Sequence, residues 1–199
     1  MLNVKKPYPI HSFSSNTYVI SSGGECAVID PSVPYDESLC PGVLKYVLLT
    51  HSHFDHILDI DSWANTGAKV IISEKEKDFL PDPTRNCYGL FFGQDKGFFG
   101  EAFGVSEGNT LPLGDEVIEV IEVPGHTTGS LVYKIGEIAF VGDTVFAGGG
   151  YGRWDFPSGN YSELKESIER IKSMPDDIIL YPGHGEATTV KQYKEDFKR

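Results

Sequence analysis

Cysteine is scarce: Cys26, Cys40 and Cys87 are the only three, and no two of them form a CxxC pair. An odd, sparse set excludes a disulfide framework as the basis of the fold. Small core or surface residues describe these thiols better than metal ligands do. Long apolar runs are missing as well. No stretch approaches the ~18 residues that span a bilayer, and the N-terminal MLNVKKPYPIHSF lacks the apolar segment of a signal peptide. A cytoplasmic protein with no membrane partner is the resulting expectation. Positive charge is short too. Lys and Arg number 17 against 29 Asp and Glu, a formal net charge of −12. An acidic surface repels phosphate backbones, so nucleic acid is not an expected partner.

What remains is ordinary for a globular chain: 199 residues, 40% hydrophobic and 23% charged, read as a single domain over residues 1–199 with enough length to bury a core. Thr17–Ser21 and Glu25–Asp30 flank Ser22-Gly23-Gly24 and read as a β-hairpin. Leu44–Thr50 is an apolar run that reads as a buried strand. Ile57–Asn65 reads as a helix with Gly67 near its C-cap, Lys69–Ile72 as a strand, and Glu74–Leu80 as a short helix ended by Pro81. Residues 81–108 are rich in Gly and Phe without a clear period, and two readings stand for them. Phe91, Phe92, Phe98, Phe99 and Phe103 are either core or a mobile aromatic flap over a cleft. Strands return at Val117–Val123, Ser130–Ile135, Glu137–Val141 and Ile178–Tyr181. Helices follow at Tyr161–Met174, whose Leu164, Ile168 and Ile171 share a face, and after Thr189, a candidate cap. The pattern of strands then helix, twice over, favours an α/β architecture with sheets inside and helices outside.

Histidine carries the chemistry. Of six histidines, five fall in three compact segments: HSHFDH at 51–56, VPGHTTGS around His126 and LYPGHGE around His184. In an extended stretch residues two apart share a face, so His51 and His53 can point at one ion. Asp55 and His56 come where the chain turns and can reach a neighbouring ion. Neutral imidazole and carboxylate suit Zn2+ and also Fe or Mn. The alternative for the trio is a solvated polar turn, but crowded imidazoles repel one another once protonated, and folding gains nothing obvious from them. His126 follows a strand inside a Pro-Gly turn, Asp143 follows the apolar strand of AFVGD, and His184 follows a third strand and another Pro-Gly. Singly, each reads as a capping or surface residue. Their recurrence at strand ends matters more, because ligands bind where strand C-termini converge. His11 has no such neighbourhood and reads as structural or exposed.

HSHFDH, PGHTTGS, GDTVF and PGHG, in that order between Tyr18 and Gly185, resemble the metallo-β-lactamase superfamily. YGRWDFPSGN at 151–160 resembles a Gly-Arg-x-Asp-Phe segment of its glyoxalase-II-like (hydroxyacylglutathione hydrolase-like) branch. The resemblance implies an αββα four-layer sandwich with metals at one edge of the paired sheets. It implies two divalent metal ions, Zn first and Fe or Mn as alternatives. His51, His53 and His126 would hold one, Asp55, His56 and His184 the other, and Asp143 would bridge them. Two such cations add positive charge that favours an anionic substrate inside an acidic shell.

The activity implied is hydrolysis of a small-molecule thioester or ester by a metal-bridging hydroxide, since metals depress the pKa of bound water, with Asp55 as the catalytic residue orienting it. Arg153 has two readings: it braces the loop after Asp143 together with Asp155, or it contacts a substrate carboxylate. Human-type glyoxalase II resembles this chain only in its catalytic portion, so bacillithiol, coenzyme A or another thiol carrier stands beside glutathione. The rival readings are a mononuclear-iron persulfide dioxygenase-like oxidoreductase, a lactone or β-lactam hydrolase, and a metal-stabilised structural module. His184 in PGHG favours a full second site over the dioxygenase. Structural zinc sites are usually closed and often cysteine-rich, unlike this set.

Overall fold

Val47, Leu48 and Leu49 are fully buried in succession. Alternation along a strand sends Leu48 to one side and its two neighbours to the other, so this strand needs cover on both faces. The computed structural model, which describes residues 2–198, supplies that cover with four layers.

The first sheet has the spatial order β1 (Asn3–Lys5), β2 (Tyr18–Ser22), β3 (Glu25–Ile29), β4 (Val43–Leu48), β5 (Lys69–Ser73) and β6 (Ala102–Val105). Pairing is antiparallel from β1 to β3 and parallel from β3 to β6. Two short helices, α1 (Ile60–Ala64) and α2 (Tyr88–Phe92), interrupt the chain on either side of β5. The second sheet takes β7 (Thr110–Leu113), β8 (Glu116–Glu122), β9 (Leu131–Ile135) and β10 (Ile138–Gly142). A small ribbon, β11 (Val145–Phe146) with β12 (Gly150–Tyr151), and helix α3 (Tyr161–Lys172) precede β13 (Ile179–Pro182), β14 (Thr188–Thr189) and α4 (Val190–Asp196). Its order is β14-β13-β10-β9-β8-β7, with β10 and β13 parallel and the other neighbours antiparallel.

The inner core lies between the sheets, where Tyr18, Ile20 and Leu48 meet Val120, Tyr133 and Phe140. On the outer side of the first sheet, Ile60 and Trp63 cover Val47 and Val70. Leu164, Ile168 and Ile171 of α3 and Tyr193 of α4 cover Val141 and Leu180 on the other. This is the αββα sandwich. Covered on both faces, the central strands read as near-continuous apolar runs.

The hairpin forms as its sequence predicts. Gly23 and Gly24 adopt φ values of 54° and 79°, the conformation that a two-residue turn of this hand requires. Asn160 caps α3 by accepting from the backbone of Ser162 and Glu163, and Thr189 caps α4 by accepting from Gln192. The helix expected over Ile57–Asn65 is shorter, Ile60–Ala64, and a 3-10 turn at Phe54–His56 precedes it. That turn aims Asp55 and His56 inward, which a helix started earlier would not do. Strands β1, β6 and β7 escape the periodicity argument because they are three or four residues long. The Phe-rich segment divides: Phe98 is core, Phe99 and Phe103 are exposed, and Phe91 and Phe92 lie on α2 beside the cleft described below.

Candidate metal centre

Strands β4, β8, β10 and β13 deliver their C-terminal ends to one rim of the sandwich. Past β4 the chain stays extended, with the Thr50 carbonyl accepting from Leu131 at 2.8 Å. His51 and His53, two residues apart, then face the same way, with His51 Nε2 3.1 Å from His53 Nδ1. His126 arrives from the turn after β8 and brings its Nε2 within 3.2 Å of His51 Nε2 and 3.0 Å of His53 Nδ1. That turn needs Gly125, whose φ is 128° and whose Cα faces the Leu164 backbone with no room for a side chain.

Two of these rings are fixed by their far nitrogens. His126 Nδ1 lies 2.6 Å from the Arg153 carbonyl, which only an N–H can satisfy. His51 Nδ1 lies 3.1 Å from Thr50 Oγ1, and that hydroxyl gives its own proton to Asp30 Oδ2 at 2.7 Å. Protons on the far nitrogens leave lone pairs converging at the centre. Tetrahedral Zn–N bonds of ~2.0–2.1 Å place ligand nitrogens roughly 3.4 Å apart, close to the triangle observed. Burial, followed by the neighbouring imidazoles, holds His51 protonation well below its usual range and pushes His53 down to about 3. These are imidazoles kept neutral, the form that binds metal.

A second group, Asp55, His56, Asp143 and His184, gathers beside the first. His56 Nδ1 is anchored on Asp30 Oδ2 at 2.8 Å. Its Nε2 lies 3.3 Å from Asp143 Oδ1 and 3.8 Å from Asp55 Oδ2. His184 Nε2 lies 3.0 Å from Asp55 Oδ2 and 3.4 Å from Asp143 Oδ2. Asp143 Oδ2 is also 3.8 Å from His126 Nε2, so this carboxylate stands between the two groups. Gly183 is required by close approach, because a Cβ there would collide with the Asp143 carboxylate and the His56 ring. Burial opposes charge on His56, but Asp30, Asp143 and Asp55 outweigh it and raise the ring well above its usual value. His184 rises to about 9 for the same reason, burial being overcome by Asp143 and Asp55. Asp143 is held well below the usual carboxylate range, its burial outweighed by His56 and His184. The group calls for positive charge.

Two orphans test whether a metal fits. His56 Nε2 and Asp143 Oδ1 are both buried and neither has a hydrogen-bond partner, although they face each other. Once His56 gives up its second proton and keeps the one on Nδ1, both atoms are acceptors, and buried acceptors without a donor are rare. A cation between them satisfies both. The donor set of imidazole nitrogen and carboxylate oxygen suits Zn, Fe or Mn.

The structure thus brings together all seven sequence-predicted candidates, His51, His53, Asp55, His56, His126, Asp143 and His184, and leaves others out. His11 is exposed, 3.7 Å from Asp59. The cysteines are free and buried, and none joins either group. Arg153 serves through its backbone carbonyl on His126; its guanidinium makes two 2.7 Å bonds to Asp155 and stacks 3.9 Å over Phe156. Two supporting residues escape sequence reasoning. Asp30 links His56 directly and His51 through Thr50; its signal was available, an Asp ending an apolar strand just as Asp143 does. Glu76 is fully buried and accepts from Ser52 N and Gly129 N, both at 2.8 Å. It ties the loop of His51 and His53 to that of His126. Set within EKEKD, it looks like a solvated charge.

A cleft of about 440 Å3 opens over both groups. Asp55, His126, Asp143 and His184 form its floor, and Phe91 and Phe156 form part of its walls.

Comparison with known proteins agrees with this geometry. The family model described as the metallo-β-lactamase superfamily matches residues 12–184. Hydroxyacylglutathione hydrolase GloC of Haemophilus influenzae is 34% identical over 206 aligned positions, covering 94% of this chain and 92% of that protein. Among solved structures, the BLEG-1 B3 metallo-β-lactamase is similar at a TM-score of 0.86 and 29% identity, covering 97% of both chains. ETHE1 from Myxococcus xanthus is similar at 0.76 and 27%, covering 99% of this chain and 84% of that one. Among the described residues, no helix is long and apolar enough to cross a membrane.

Proposed function

The chain belongs to the metallo-β-lactamase superfamily and is a metallohydrolase of it; from that premise we propose that it hydrolyses thioesters of the hydroxyacylglutathione type with a pair of metal ions. His51, His53 and His126 hold one ion in this reading, Asp55, His56 and His184 the other, and Asp143 reaches both. Zn is the first expectation, with Fe or Mn accepted by the same donors. The observation that carries the reading is the buried, unpartnered pair His56 Nε2 and Asp143 Oδ1, 3.3 Å apart beneath an open cleft.

Such a metal pair, when bound, supplies a water of lowered pKa and polarises a carbonyl oxygen. The chain's own residues do the rest. Asp30 and the Arg153 carbonyl hold the protons of His56 and His126 on their Nδ1 atoms, which keeps Nε2 of each ring free. Asp55, on the cleft floor and 3.0 Å from His184, is placed to accept the proton of an attacking water. The aromatic walls exclude bulk water from the acyl group. The relative from Haemophilus influenzae, named a hydroxyacylglutathione hydrolase and matched along nearly its whole length, supports the thioester as substrate. A cytoplasmic location belongs to the same proposal, since three buried free thiols suit a reducing compartment.

The test is metal analysis of the purified protein beside parallel assays with S-lactoylglutathione, an acyl-coenzyme A, a lactone, a β-lactam and glutathione persulfide. Two equivalents of metal and turnover of thioesters are expected. One equivalent of iron with oxygen-dependent consumption of the persulfide would establish the dioxygenase reading instead, and β-lactam turnover alone would establish a lactamase.

A further inference from the structure

A continuous series of rings, all but Phe92 lining the cleft, leads outward from the first histidine group. His53 meets Phe156 edge-on at 5.7 Å, Phe156 meets Phe91 at 5.6 Å, and Phe91 meets Phe54 at 5.1 Å. Phe54 continues to Phe92 at 5.3 Å, and Phe92 to Phe13 at 5.6 Å, where the N-terminal segment closes against α2. Phe91 is 47% exposed and Phe13 54% exposed. Large apolar rings left open beside a polar floor mark a surface that gains by being covered, and the volume falls within the roughly 300–1,000 Å3 of small-molecule sites.

Charge points the same way. Among the described residues lining the cleft, Arg153 is the only Lys or Arg, and it is already engaged by both Asp155 oxygens and by the Phe156 ring. Glutathione carries a carboxylate at each end, and a site for it needs cations free to pair with them. This cleft offers rings instead. We propose that the site selects thioesters and esters with an apolar acyl group, aromatic or medium-chain aliphatic, seated against Phe91 and Phe156 while the thiol carrier extends to solvent. The inference rests on the thioester hydrolysis proposed above and departs from the hydroxyacylglutathione type in both acyl group and carrier. The reaction breaks the acyl C–S bond, forms a C–O bond to the water oxygen, and yields a carboxylate, a thiol and one proton released to solvent. The rings take no part in that exchange; they hold the acyl chain.

The experiment uses the metal-loaded full chain and one neutral thiol, N-acetylcysteamine, carrying acetyl, lactoyl, butanoyl, hexanoyl, octanoyl and phenylacetyl groups. S-lactoylglutathione and octanoyl-coenzyme A vary the thiol. We expect kcat/KM to rise roughly two- to fourfold per added methylene through hexanoyl, as partial burial of each CH2 implies. Phe91→Ala should lower the octanoyl-to-acetyl ratio by on the order of tenfold, and Phe91→Leu, which restores apolar bulk, should recover most of it. A flat acyl series, or rates that follow the thiol rather than the acyl group, overturns the inference while leaving thioester hydrolysis intact. Failure on every thioester overturns the function proposed above. Calorimetry with non-hydrolysable ketone analogues then still decides the acyl site: binding must tighten from methyl to heptyl ketone, and equal affinities would refute it.

Discussion

The two ligand groups share Asp143 and Asp30 yet are built on opposite principles. The first consists of three buried imidazoles drawn from two loops, with His51 and His53 driven neutral by burial. The second opposes two carboxylates to His56 and to His184, whose side chain is 40% exposed. An enclosed triangle of imidazoles would hold a cation through converging lone pairs. A half-open group with two carboxylates would hold one by charge, and leaves a side toward the cleft. The difference teaches where the role of each proposed metal would lie: the first site would be the more rigid platform, and the second the more exchangeable partner that meets substrate.

The sharpest way to break that distinction is at the shared carboxylate. Asp143→Ala removes the carboxylate that stands between the groups, so metal content should fall at both sites and thioester hydrolysis by on the order of a thousandfold or more. His53→Ala should empty the first site and abolish activity with it. His184→Ala should remove mainly the second equivalent, leaving about one metal per chain. Elemental analysis and titration with Co2+ read the outcomes. A full, tightly held pair of metals in Asp143→Ala would show that it bridges nothing, and equal losses in the two histidine variants would erase the contrast between sites.

A smaller effect comes from the residues behind the ligands. Asp30 supports both groups, so Asp30→Asn should lower metal affinity at each by about 10–100-fold. Glu76 supports only the loops of the first group, holding Ser52 N and Gly129 N. Glu76→Gln turns one acceptor into a donor facing an N–H, costing about 1–3 kcal/mol of stability, and should perturb the Co2+ spectrum of the first site while sparing the second. Matching spectral changes at both sites would reduce Glu76 to a general brace. Thermal melts of the metal-free variants separate the folding cost from the affinity change.

These supports also mark how far the chain could be read without coordinates. The ligand candidates were legible because histidine is rare and because motif and strand end coincide at His126, Asp143 and His184. The sandwich was legible where strands are long and covered on both faces, as around Val47–Leu49. Asp30 was within reach, since it ends an apolar strand, but nothing local says that its partner lies twenty-six residues away at His56. Glu76 was out of reach: burial of a carboxylate within a run of charges depends entirely on which loops fold over it. The same holds for the aromatic segment, where Phe98 and Phe99 are adjacent and meet opposite fates. Without a period, sequence cannot assign faces.

The contrast between the groups predicts opposite responses to pH in the metal-free protein. His53 is depressed to about 3 from an ordinary 6.5, so the folded state prefers it neutral. Its contribution is fully present above 6.5 and is lost as pH falls from 6.5 toward 3, with His51 acting in the same sense. Asp143, also depressed, keeps its contribution down to 3.8 and loses it only as pH falls further. His184 is raised to about 9, so the folded state prefers it protonated. Its contribution is full below 6.5 and disappears as pH rises through 9. Metal-free melting temperatures should therefore peak near pH 6.5 and decline on both sides, the acid limb belonging to the first group and the alkaline limb to the second. His184→Ala should shrink the alkaline limb and spare the acid one, with His56, raised in the same sense, supplying what remains. Added metal, which takes the place of the proton on His184, should do the same to the native chain while steepening the acid limb, because protons then compete for the ligands. An alkaline limb that survives both treatments undiminished would place its origin elsewhere and remove the electrostatic half of the comparison.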